Sequence, residues 1–450
     1  MDISCLIAKY DQRVPRYTSY PTAPHFSATV DGTTYADWLQ RLPDETVLSL
    51  YVHAPFCAQL CLFCGCHTSV VRRPEPVVAY ARDLMTEVDL VAAAVGRRLP
   101  VRYVHWGGGT PTALPPKWMQ AVDERLRERF DVLPEAEVAV EVDPRTLSAE
   151  ALAGVARIGT TRASLGVQDF AADVQRIVGR IQSYEMTTDC AARLRDIGVR
   201  SINLDLIYGL PYQTEASVAA TVERALDIRP DRVAVFGYAH VPWMKKHQAL
   251  LPEAALPDSV ARFNQCNAAA RVLREAGYAM VGLDHFAQSG DALAKAARKG
   301  SLRRNFQGYT TDDAPVLLGL GASSIGSLKQ GYVQNASSIP RWRAMVHGGR
   351  LPVARGIALT PADRLRRDVI ERLMCDFAVD LGAVAVRHGA ETVALMDAAP
   401  ALQAMAADGL VRWNGHLVIV TEAGRPFVRC VAAAFDTYLR AGAGRHAAAV

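Results

Sequence analysis

Short β-branched runs alternate with amphipathic stretches through the first two thirds of the chain, and this alternation restricts the possible folds. The helical stretches are Val78–Val95, Trp118–Phe130, Ala149–Ile158, Glu215–Leu226 and Ser259–Ala276. The predicted strands are Val47–His53, Val101–Trp106, Glu137–Val142, Arg162–Gln168, Ser201–Ile207, Arg232–Ala239 and Tyr278–Asp284. Strands repeat roughly every 25–55 residues, which suits βα units. The pattern predicts an α/β fold with a parallel sheet covered by helices, either barrel-like or doubly wound.

Unusual residues follow the carboxyl ends of these predicted strands. They are the cysteines after position 56, Gly107–Gly109, Asp143-Pro144, Gln168-Asp169 and His240. Active sites of parallel barrels are built at that edge of the sheet. We therefore expect a barrel-like catalytic domain that works at its carboxyl edge.

The pattern changes after about residue 355. Helices are predicted over Thr360–Phe377, Glu391–Ala407 and Pro426–Leu439, and a hairpin is predicted where Gly409–Trp413 and His416–Thr421 flank Asn414-Gly415. This order resembles a winged-helix domain, but no basic stripe accompanies the hairpin, so a structural or substrate-covering role is favoured over DNA binding. We predict three segments: an N-terminal substrate-covering arm (1–45), a partial barrel (46–355) and a mostly helical, winged-helix-like domain (356–450).

Composition and charge exclude several classes of protein. The 50 Lys and Arg residues exceed the 46 Asp and Glu residues by only four, which is too weak an excess to indicate a nucleic-acid binder. No run approaches the ~18 apolar residues of a membrane span, and Met1–Cys5 carries an acid where a secretory signal is basic. Since four of the nine cysteines are clustered rather than spread as a disulfide framework would be, we expect a cytoplasmic protein.

Four cysteines, Cys57, Cys61, Cys64 and Cys66, lie within ten positions directly after the first predicted strand. Thiolates at such spacing can converge from one loop onto an iron–sulfur cluster, whose usual complement is four cysteines. A structural zinc site would normally show a second Cys-x-x-Cys pair, and none is present. Whether Cys66 completes a four-thiolate site stays open at this point. The other thiols are scattered through apolar helical patterns and are expected in the core.

Cys-x3-Cys-x2-Cys after the first strand of a βα barrel resembles the signature of the radical S-adenosylmethionine (radical SAM) superfamily. The resemblance implies that Cys57, Cys61 and Cys64 hold a [4Fe–4S] cluster. It also implies that the fourth iron binds the amino and carboxylate groups of S-adenosylmethionine, with Phe63 beside the adenine.

Further motifs resemble the oxygen-independent coproporphyrinogen III oxidase family over nearly the whole chain. They are Pro15–Thr22, Tyr51–His53, Cys64–Cys66, His105–Thr112, Glu141–Pro144, Gly166–Phe170, Asp205–Pro211, Asp284–Phe286 and Asn305–Thr311. The resemblance implies two bound S-adenosylmethionine molecules. The residues implied for the first are Tyr51, Gly108, Gly109, Thr110, Glu141, Gln168, Arg180, Asp205 and Ala239, and those near the second are Gln307 and Ile325.

The activity implied by this resemblance is oxidative decarboxylation of coproporphyrinogen III to protoporphyrinogen IX in heme biosynthesis. The implied catalytic residues are Cys66, placed near substrate rather than on the cluster, His53, and Arg16 as a propionate clamp flanked by Tyr17 and Tyr20. A reduced flavodoxin or ferredoxin would supply electrons, the final acceptor is unidentified, and we expect a monomer. The alternatives are a heme-binding chaperone that shares the barrel and cluster, and a radical SAM methyltransferase that modifies heme. Such chaperones lack the Cys-Gly-Cys ending and usually the arm, and product analysis would separate the methyltransferase.

Overall fold

The computed structural model describes residues 3–440 and is built around a twelve-stranded sheet. The strands in chain order are β1 Leu48–Ala54, β2 Phe56–Cys57, β3 Ser69–Val70, β4 Pro100–Gly108, β5 Asp131–Val142, β6 Arg162–Gln168, β7 Ser201–Tyr208, β8 Arg232–Gly237, β9 Ala279–Val281, β10 His285–Ala287, β11 Arg303–Asn305, β12 Gly308–Thr310, β13 Val316–Leu320, β14 Ile325–Leu328, β15 Gly331–Asn335, β16 Val353–Ala358, β17 Ala378–Asp380, β18 Val411–Trp413 and β19 Leu417–Val420.

Helices cover this sheet and form most of the C-terminal region. They are α1 Ile3–Tyr10, α2 Gly32–Gln40, α3 Pro74–Val95, α4 Pro116–Arg129, α5 Ala149–Arg157, α6 Ala172–Ile177, α7 Tyr184–Asp196, α8 Glu215–Asp227, α9 Ser259–Glu275, α10 Ala292–Arg298, α11 Ile339–His347, α12 Pro361–Asp376, α13 Leu381–Arg387, α14 Ala399–Ala407, α15 Val428–Ala433 and α16 Thr437–Arg440. Within residues 3–440, no helix combines the length and apolar character needed to cross a membrane.

The central sheet has the order β16-β15-β14-β13-β1-β4-β5-β6-β7-β8-β10-β9. Its middle strands, from β13 to β8, pair in parallel, whereas both margins are antiparallel. Apolar side chains of β1 and its neighbours are fully buried, as expected of parallel strands covered by helices. The predicted α/β class with a parallel-dominated sheet is therefore confirmed.

Three predicted elements differ from the structure. Tyr278–Asp284 is not one strand: the chain turns after β9 and returns as the antiparallel β10, because Gly282 has φ +58° and the Tyr309 ring fills the space where a side chain would be. Glu391–Ala407 starts as a 3₁₀ turn (Thr392–Ala398) before α14. The last predicted helix is interrupted between α15 and α16, where the Asp436 carboxylate accepts the backbone N–H groups of Tyr438 and Leu439 and starts a new helix.

The N-terminal segment is packed into the C-terminal region. Leu6 and Tyr10 of α1, with Tyr17 and Tyr20, belong to the same buried apolar cluster as α12 and α15. The Tyr17 hydroxyl donates to Asp436 Oδ2 at 3.0 Å, and the Tyr20 hydroxyl lies 3.0 Å from Thr437 Oγ1. These two tyrosines therefore anchor the arm to the C-terminal region, and the clamp role expected for Arg16 beside them stays a prediction. The division at residues 45 and 355 stays a prediction.

Candidate functional site

The cysteine-bearing loop (residues 58–68) lies between β2 and β3, which pair in parallel and close its base. Cys57 ends β2 and is partly buried, Cys61 is buried, Cys64 is partly buried and Cys66 is exposed. All four are free thiols. The loop thus presents several sulfur atoms at the carboxyl end of β1, where the sequence places the active site.

Each of the three thiols predicted to bind the cluster has its own hydrogen-bond donor. The Thr68 hydroxyl donates to Cys57 Sγ at 3.2 Å, and the Cys66 backbone N–H donates to Cys64 Sγ at 3.4 Å. Arg145 Nη2 lies 3.4 Å from Cys61 Sγ. Donors of this kind favour the thiolate, which is the form that binds metal.

The pKa directions of two of these thiols follow from their surroundings. A hydrogen bond with the Cys66 thiol lowers the pKa of Cys64 to about 6, although burial opposes this. Burial raises the pKa of Cys57, although the hydrogen bonds with Thr68 and Thr110 lower it.

Within residues 3–440, no three His, Cys, Asp or Glu side chains surround one ion position. Three cysteine thiols that each have a hydrogen-bond donor suit an iron–sulfur cluster, whose ligands are cysteine thiolates.

A segment that follows β8 fastens the cysteine-bearing loop from outside. Lys245 Nζ donates to the Cys66 carbonyl at 2.8 Å, His247 Nε2 to the Cys64 carbonyl at 2.8 Å, and Gln248 Nε2 to the Phe63 carbonyl at 2.9 Å. We call residues 241–251 the clasp. Because it holds three loop carbonyls, the clasp fixes the backbone path through Cys64 and Cys66.

Glycines 107–109 let the end of β4 approach β1 and the cysteine-bearing loop. A Cβ on Gly108, which has φ +112°, would lie 2.5 Å from the His53 ring, and one on Gly109 would lie 2.6 Å from the Phe56 carbonyl oxygen. A Cβ on Gly107 would lie 2.7 Å from Oε1 of the Glu141 carboxylate. The local reason for these glycines is thus tight packing of protein groups, and contact of Gly108, Gly109 and Thr110 with S-adenosylmethionine stays a prediction.

Glu141 lies at the centre of a hydrogen-bonded group. Its carboxylate is 3.2 Å from His105 Nε2 and accepts the Gly108 backbone N–H at 3.1 Å. Burial raises the pKa of Glu141, but His105 and the Gly108 N–H outweigh it and hold the pKa below its ordinary value. Tyr51 stacks on His105 with ring centres 5.7 Å apart, and its hydroxyl lies 3.0 Å from His53 Nδ1. This group offers a carboxylate suited to an ammonium group.

Gln168 and Gln307 each bury a polar side-chain atom without a partner. Gln168 ends β6 with φ +72°, which is unusual for a residue other than glycine, and its Oε1 has no hydrogen bond. Gln307, in the turn between β11 and β12, likewise leaves Nε2 without a partner. A buried polar group left unsatisfied is costly, so both amides fit a ligand that supplies the missing partner.

Arg180 is buried and Asp205 is partly buried, and both side chains already form hydrogen bonds, although Arg180 Nε has no partner. Arg180 Nη2 lies 3.2 Å from Asp143 Oδ1, and its Nη1 lies 3.7 Å from Cys61 Sγ. Asp205 accepts from Ser164 Oγ and Asn203 Nδ2, both at 2.8 Å, and burial raises its pKa. Ala239 follows β8 and lines a cavity next to Arg16.

The structure gathers the predicted residues along neighbouring strand ends. Tyr51 pairs in register with His105 on one side and Gly319 on the other, and Gly319 lies against the Ile325 backbone. Ile325 and Phe306, next to Gln307, pack against one apolar cluster. The Arg16 guanidinium donates to the carbonyl of Gly237, the last residue of β8, at 2.7 Å.

Sequence reasoning missed Arg145, His105 and the donors of the clasp. Arg145 follows the Asp143-Pro144 pair and contacts both Asp143 and Cys61. A cation two residues after a strand-end carboxylate was the available signal. Lys245 and His247 carried no comparable signal, since their contacts depend on a distant loop.

Comparison with known proteins identifies two family regions. Residues 51–225 match the Radical SAM superfamily, and residues 359–427 match the HemN C-terminal domain. The chain is 51% identical to the oxygen-independent coproporphyrinogen III oxidase of Bradyrhizobium diazoefficiens over 440 residues, which cover 98% of each chain. It is 42% identical to the Salmonella typhimurium protein of the same name over 97% of this chain and 95% of that protein.

The chain belongs to the oxygen-independent coproporphyrinogen III oxidase family. The solved structure of coproporphyrinogen III oxidase (HemN) from Escherichia coli, a radical SAM enzyme, covers 95% of this chain and is itself covered completely, with TM-score 0.89 and 38% identity. The family resemblance stated from the sequence is therefore confirmed. Membership of the radical SAM superfamily implies a [4Fe–4S] cluster and S-adenosylmethionine.

Proposed function

We propose that this protein decarboxylates two propionate side chains of coproporphyrinogen III without oxygen and so forms protoporphyrinogen IX. The observation that carries the proposal is the 51% identity to an oxygen-independent coproporphyrinogen III oxidase across 98% of both chains. That identity extends beyond the barrel to the N-terminal segment and the C-terminal region. A heme-binding chaperone that shares only the barrel and cluster fits this extent less well.

In the proposed reaction each propionate loses a hydrogen atom, carbon dioxide and one electron. A hydrogen atom leaves the β-carbon, the bond to the carboxylate breaks to release carbon dioxide, and one electron passes to an acceptor as the vinyl double bond forms. When bound, the cluster and S-adenosylmethionine supply the one-electron cleavage chemistry that removes the hydrogen atom. Two propionates require two such rounds.

The cofactor sites follow from the arrangement of donors. Cys57, Cys61 and Cys64 would hold the cluster, and Arg145 would balance its negative charge beside Cys61. Glu141 suits the methionine ammonium group, Arg180 suits the carboxylate, and Asp205 suits ribose hydroxyls. Gln307, in the turn between β11 and β12, and Ile325, at the start of β14, are proposed to contact a second S-adenosylmethionine.

The substrate-directed roles are proposed for Cys66, His53 and Arg16. Cys66 is exposed at the end of the cysteine-bearing loop, and its carbonyl is held by the clasp. His53 lies between Tyr51 and Ser323, with Nε2 3.2 Å from Ser323 Oγ. Arg16 donates to the Gly237 carbonyl at the end of β8 and lines a pocket there, and its guanidinium suits a propionate.

The location, oligomeric state and electron donor are proposed to be those that suit this decarboxylation. The enzyme would act as a cytoplasmic monomer with coproporphyrinogen III as substrate. A low-potential flavodoxin or ferredoxin would supply electrons for the cleavage chemistry. The alternative function, a radical SAM methyltransferase acting on heme, predicts transfer of a methyl group and no loss of carbon dioxide.

Anaerobic incubation with coproporphyrinogen III, S-adenosylmethionine and a flavodoxin reducing system tests the proposal. We expect mass analysis of the oxidised porphyrins to show the divinyl product. Cys61→Ser should abolish it, whereas Cys5→Ser, which changes an exposed cysteine outside the loop, should not. A methylated product, or no conversion by cluster-loaded enzyme, would refute the assignment.

A further inference from the structure

A pocket rich in arginine lies at the carboxyl ends of β7 and β8, next to the proposed cofactor site. Its volume is about 240 Å³, and its lining includes Arg13, Arg16, Arg262, Ala239 and Trp243. Pockets that enclose whole drug-sized ligands measure roughly 300–1,000 Å³, so this pocket suits an edge group of a larger molecule. Because Ala239 lines it, a group held here lies close to the reacting centre.

The charge lining this pocket is predominantly positive. Three arginines line it, with His240, and Asp258 is the carboxylate among the described lining residues. The Asp258 carboxylate caps α9 by accepting the Ala261 backbone N–H at 2.8 Å. Asp284 lies outside the lining, where its carboxylate is 2.7 Å from His285 Nδ1, and its charge also acts on Arg16. The pocket therefore favours an anion.

The larger cavity between the arm and α12 has a different charge balance. Its volume is about 440 Å³, and four cations line it together with four carboxylates. Arg303 and Glu371, for example, form an ion pair across it at 3.3 Å. This cavity is therefore lined by as many carboxylates as cations, whereas the lining of the arginine pocket has three arginines and one aspartate.

Aromatic rings and backbone carbonyls set the directions of the three guanidinium groups. Arg13 lies over the Trp243 ring at 5.5 Å, and Arg262 lies over the Tyr208 ring at 5.7 Å. Arg16 is held by the Gly237 carbonyl at 2.7 Å, while Arg304 donates to the Arg16 carbonyl at 3.1 Å. Arginines oriented in this way bind carboxylates with little further ordering.

Nearby charges of both signs act on Arg16. Burial is the largest cause that lowers the pKa of Arg16; the charges of Asp284 and Tyr208 oppose this change, and those of Arg304 and Arg262 lower the pKa further. An anion between Arg16 and Arg262 would relieve the repulsion between these two guanidinium groups.

We propose that Arg13 and Arg262, together with Arg16, bind a carboxylate of the tetrapyrrole substrate and so determine how the reacting edge is presented. This inference rests on the proposed function. Arg13 and Arg262 are specificity-determining residues in this reaction, and the clasp residue Trp243 is a positioning residue for Arg13.

The test uses anaerobically reconstituted full-length protein and coproporphyrin III, the oxidised tetracarboxylate, as a non-reacting probe followed by fluorescence. Arg262→Gln and Arg13→Gln should each weaken its binding about tenfold or more, the loss expected for a hydrogen bond to a charged group. Arg262→Lys should restore part of the affinity. Arg271→Gln, an exposed change on the same helix, serves as the matched control. Iron content and S-adenosylmethionine affinity should stay as in the wild type.

The outcomes separate the two proposals. If the wild type neither binds coproporphyrin III nor decarboxylates coproporphyrinogen III, the proposed function fails, and this inference fails with it. If the wild type does both while Arg262→Gln and Arg13→Gln match the control, only the arginine pocket is refuted. A selective loss of S-adenosylmethionine affinity would also refute it. Should Arg262→Gln fail to fold, the exposed Arg13→Gln decides.

Discussion

Glu87 is a carboxyl buried where α3 meets the ends of β13 and β15. Only 1% of its surface is exposed. It accepts the Gly321 backbone N–H at 2.7 Å, Asn335 Nδ2 at 2.5 Å and Trp342 Nε1 at 3.0 Å. Burial raises the pKa of Glu87 to about 7, although these three donors oppose the change. The protonated carboxyl is thus the better tolerated form in the folded protein.

The pH dependence follows from this raised pKa. An unfolded glutamate titrates near its ordinary value of 4.5, so the folded chain binds the proton more tightly. The resulting stabilisation is complete below pH 4.5 and is lost as the pH rises through about 7. Between pH 8 and pH 5.5 the free energy of unfolding gains about 2 kcal/mol from this group. For a chain of this length that corresponds to about 2 °C in Tm.

Thermal unfolding of the wild type and of Glu87→Gln at both pH values measures the contribution of Glu87 to the free energy of unfolding. The difference in Tm between the two proteins should shift by about 2 °C in favour of the wild type on going from pH 8 to pH 5.5. Other titrating groups cancel because both proteins contain them. Glu75→Gln, in the exposed first turn of the same helix, should show no such shift. A wild-type advantage that is equal at both pH values, or grows toward pH 8, would refute the reasoning.

Four further outcomes are expected. Cys61→Ser should remove iron from anaerobically reconstituted protein, which in the wild type should hold about four irons and four sulfides per chain; stoichiometric zinc without iron would contradict this. Cys66→Ser should keep the iron content and absorption spectrum while decarboxylation is lost, and a vanished cluster would instead support the four-thiolate site. Arg16→Ala should keep S-adenosylmethionine binding but lose most porphyrinogen turnover, and full turnover would reduce the arm to a structural role. Lys245→Met should release iron to a chelator several-fold faster than Lys246→Met, and equal rates would mean that the clasp does not hold the loop.

Substitution of Arg16 tests the arm more cleanly than its removal. Deletion of residues 1–22 would also remove Leu6, Tyr10 and Tyr17 from the cluster that packs α12 and α15. Loss of several buried apolar side chains costs stability on its own. A truncated protein would therefore confuse loss of folding with loss of substrate binding.

Local patterns were sufficient for β1 and for β4 to β8, but not for β13 or for the antiparallel margins of the sheet. Arg162–Gln168 has the predicted bounds because its apolar positions and flanking turns are local. The strands from β13 to β16 were not predicted, since glycines such as Gly319, Gly326 and Gly331 interrupt their apolar patterns. These glycines are required by backbone contacts with other strands: a Cβ on Gly331 would lie 2.0 Å from the Ile357 carbonyl oxygen. Only the assembled sheet reveals that requirement.

The candidate site was likewise only partly predictable from the sequence. The spacing of Cys57, Cys61 and Cys64 after β1 located the loop, because cysteines so close in sequence must also lie close in space. The hydrogen bonds from Lys245 and Arg145 to this loop depend on how separate loops meet, which residue spacing does not record. The unusual backbone of Gln168 likewise becomes apparent only when β6 ends against β7.

The contact between Tyr17 and Asp436 spans 419 positions of sequence. At ribosomal rates of about 5–20 residues per second, Tyr17 waits roughly 20–80 s for its partner to be synthesised. During that interval the strands of the sheet can pair, whereas the hydrogen bond between Tyr17 and Asp436 cannot form. The arm is therefore among the last parts of the chain to complete its packing. A chain that stops before Asp436 would leave the Tyr17 hydroxyl without this partner.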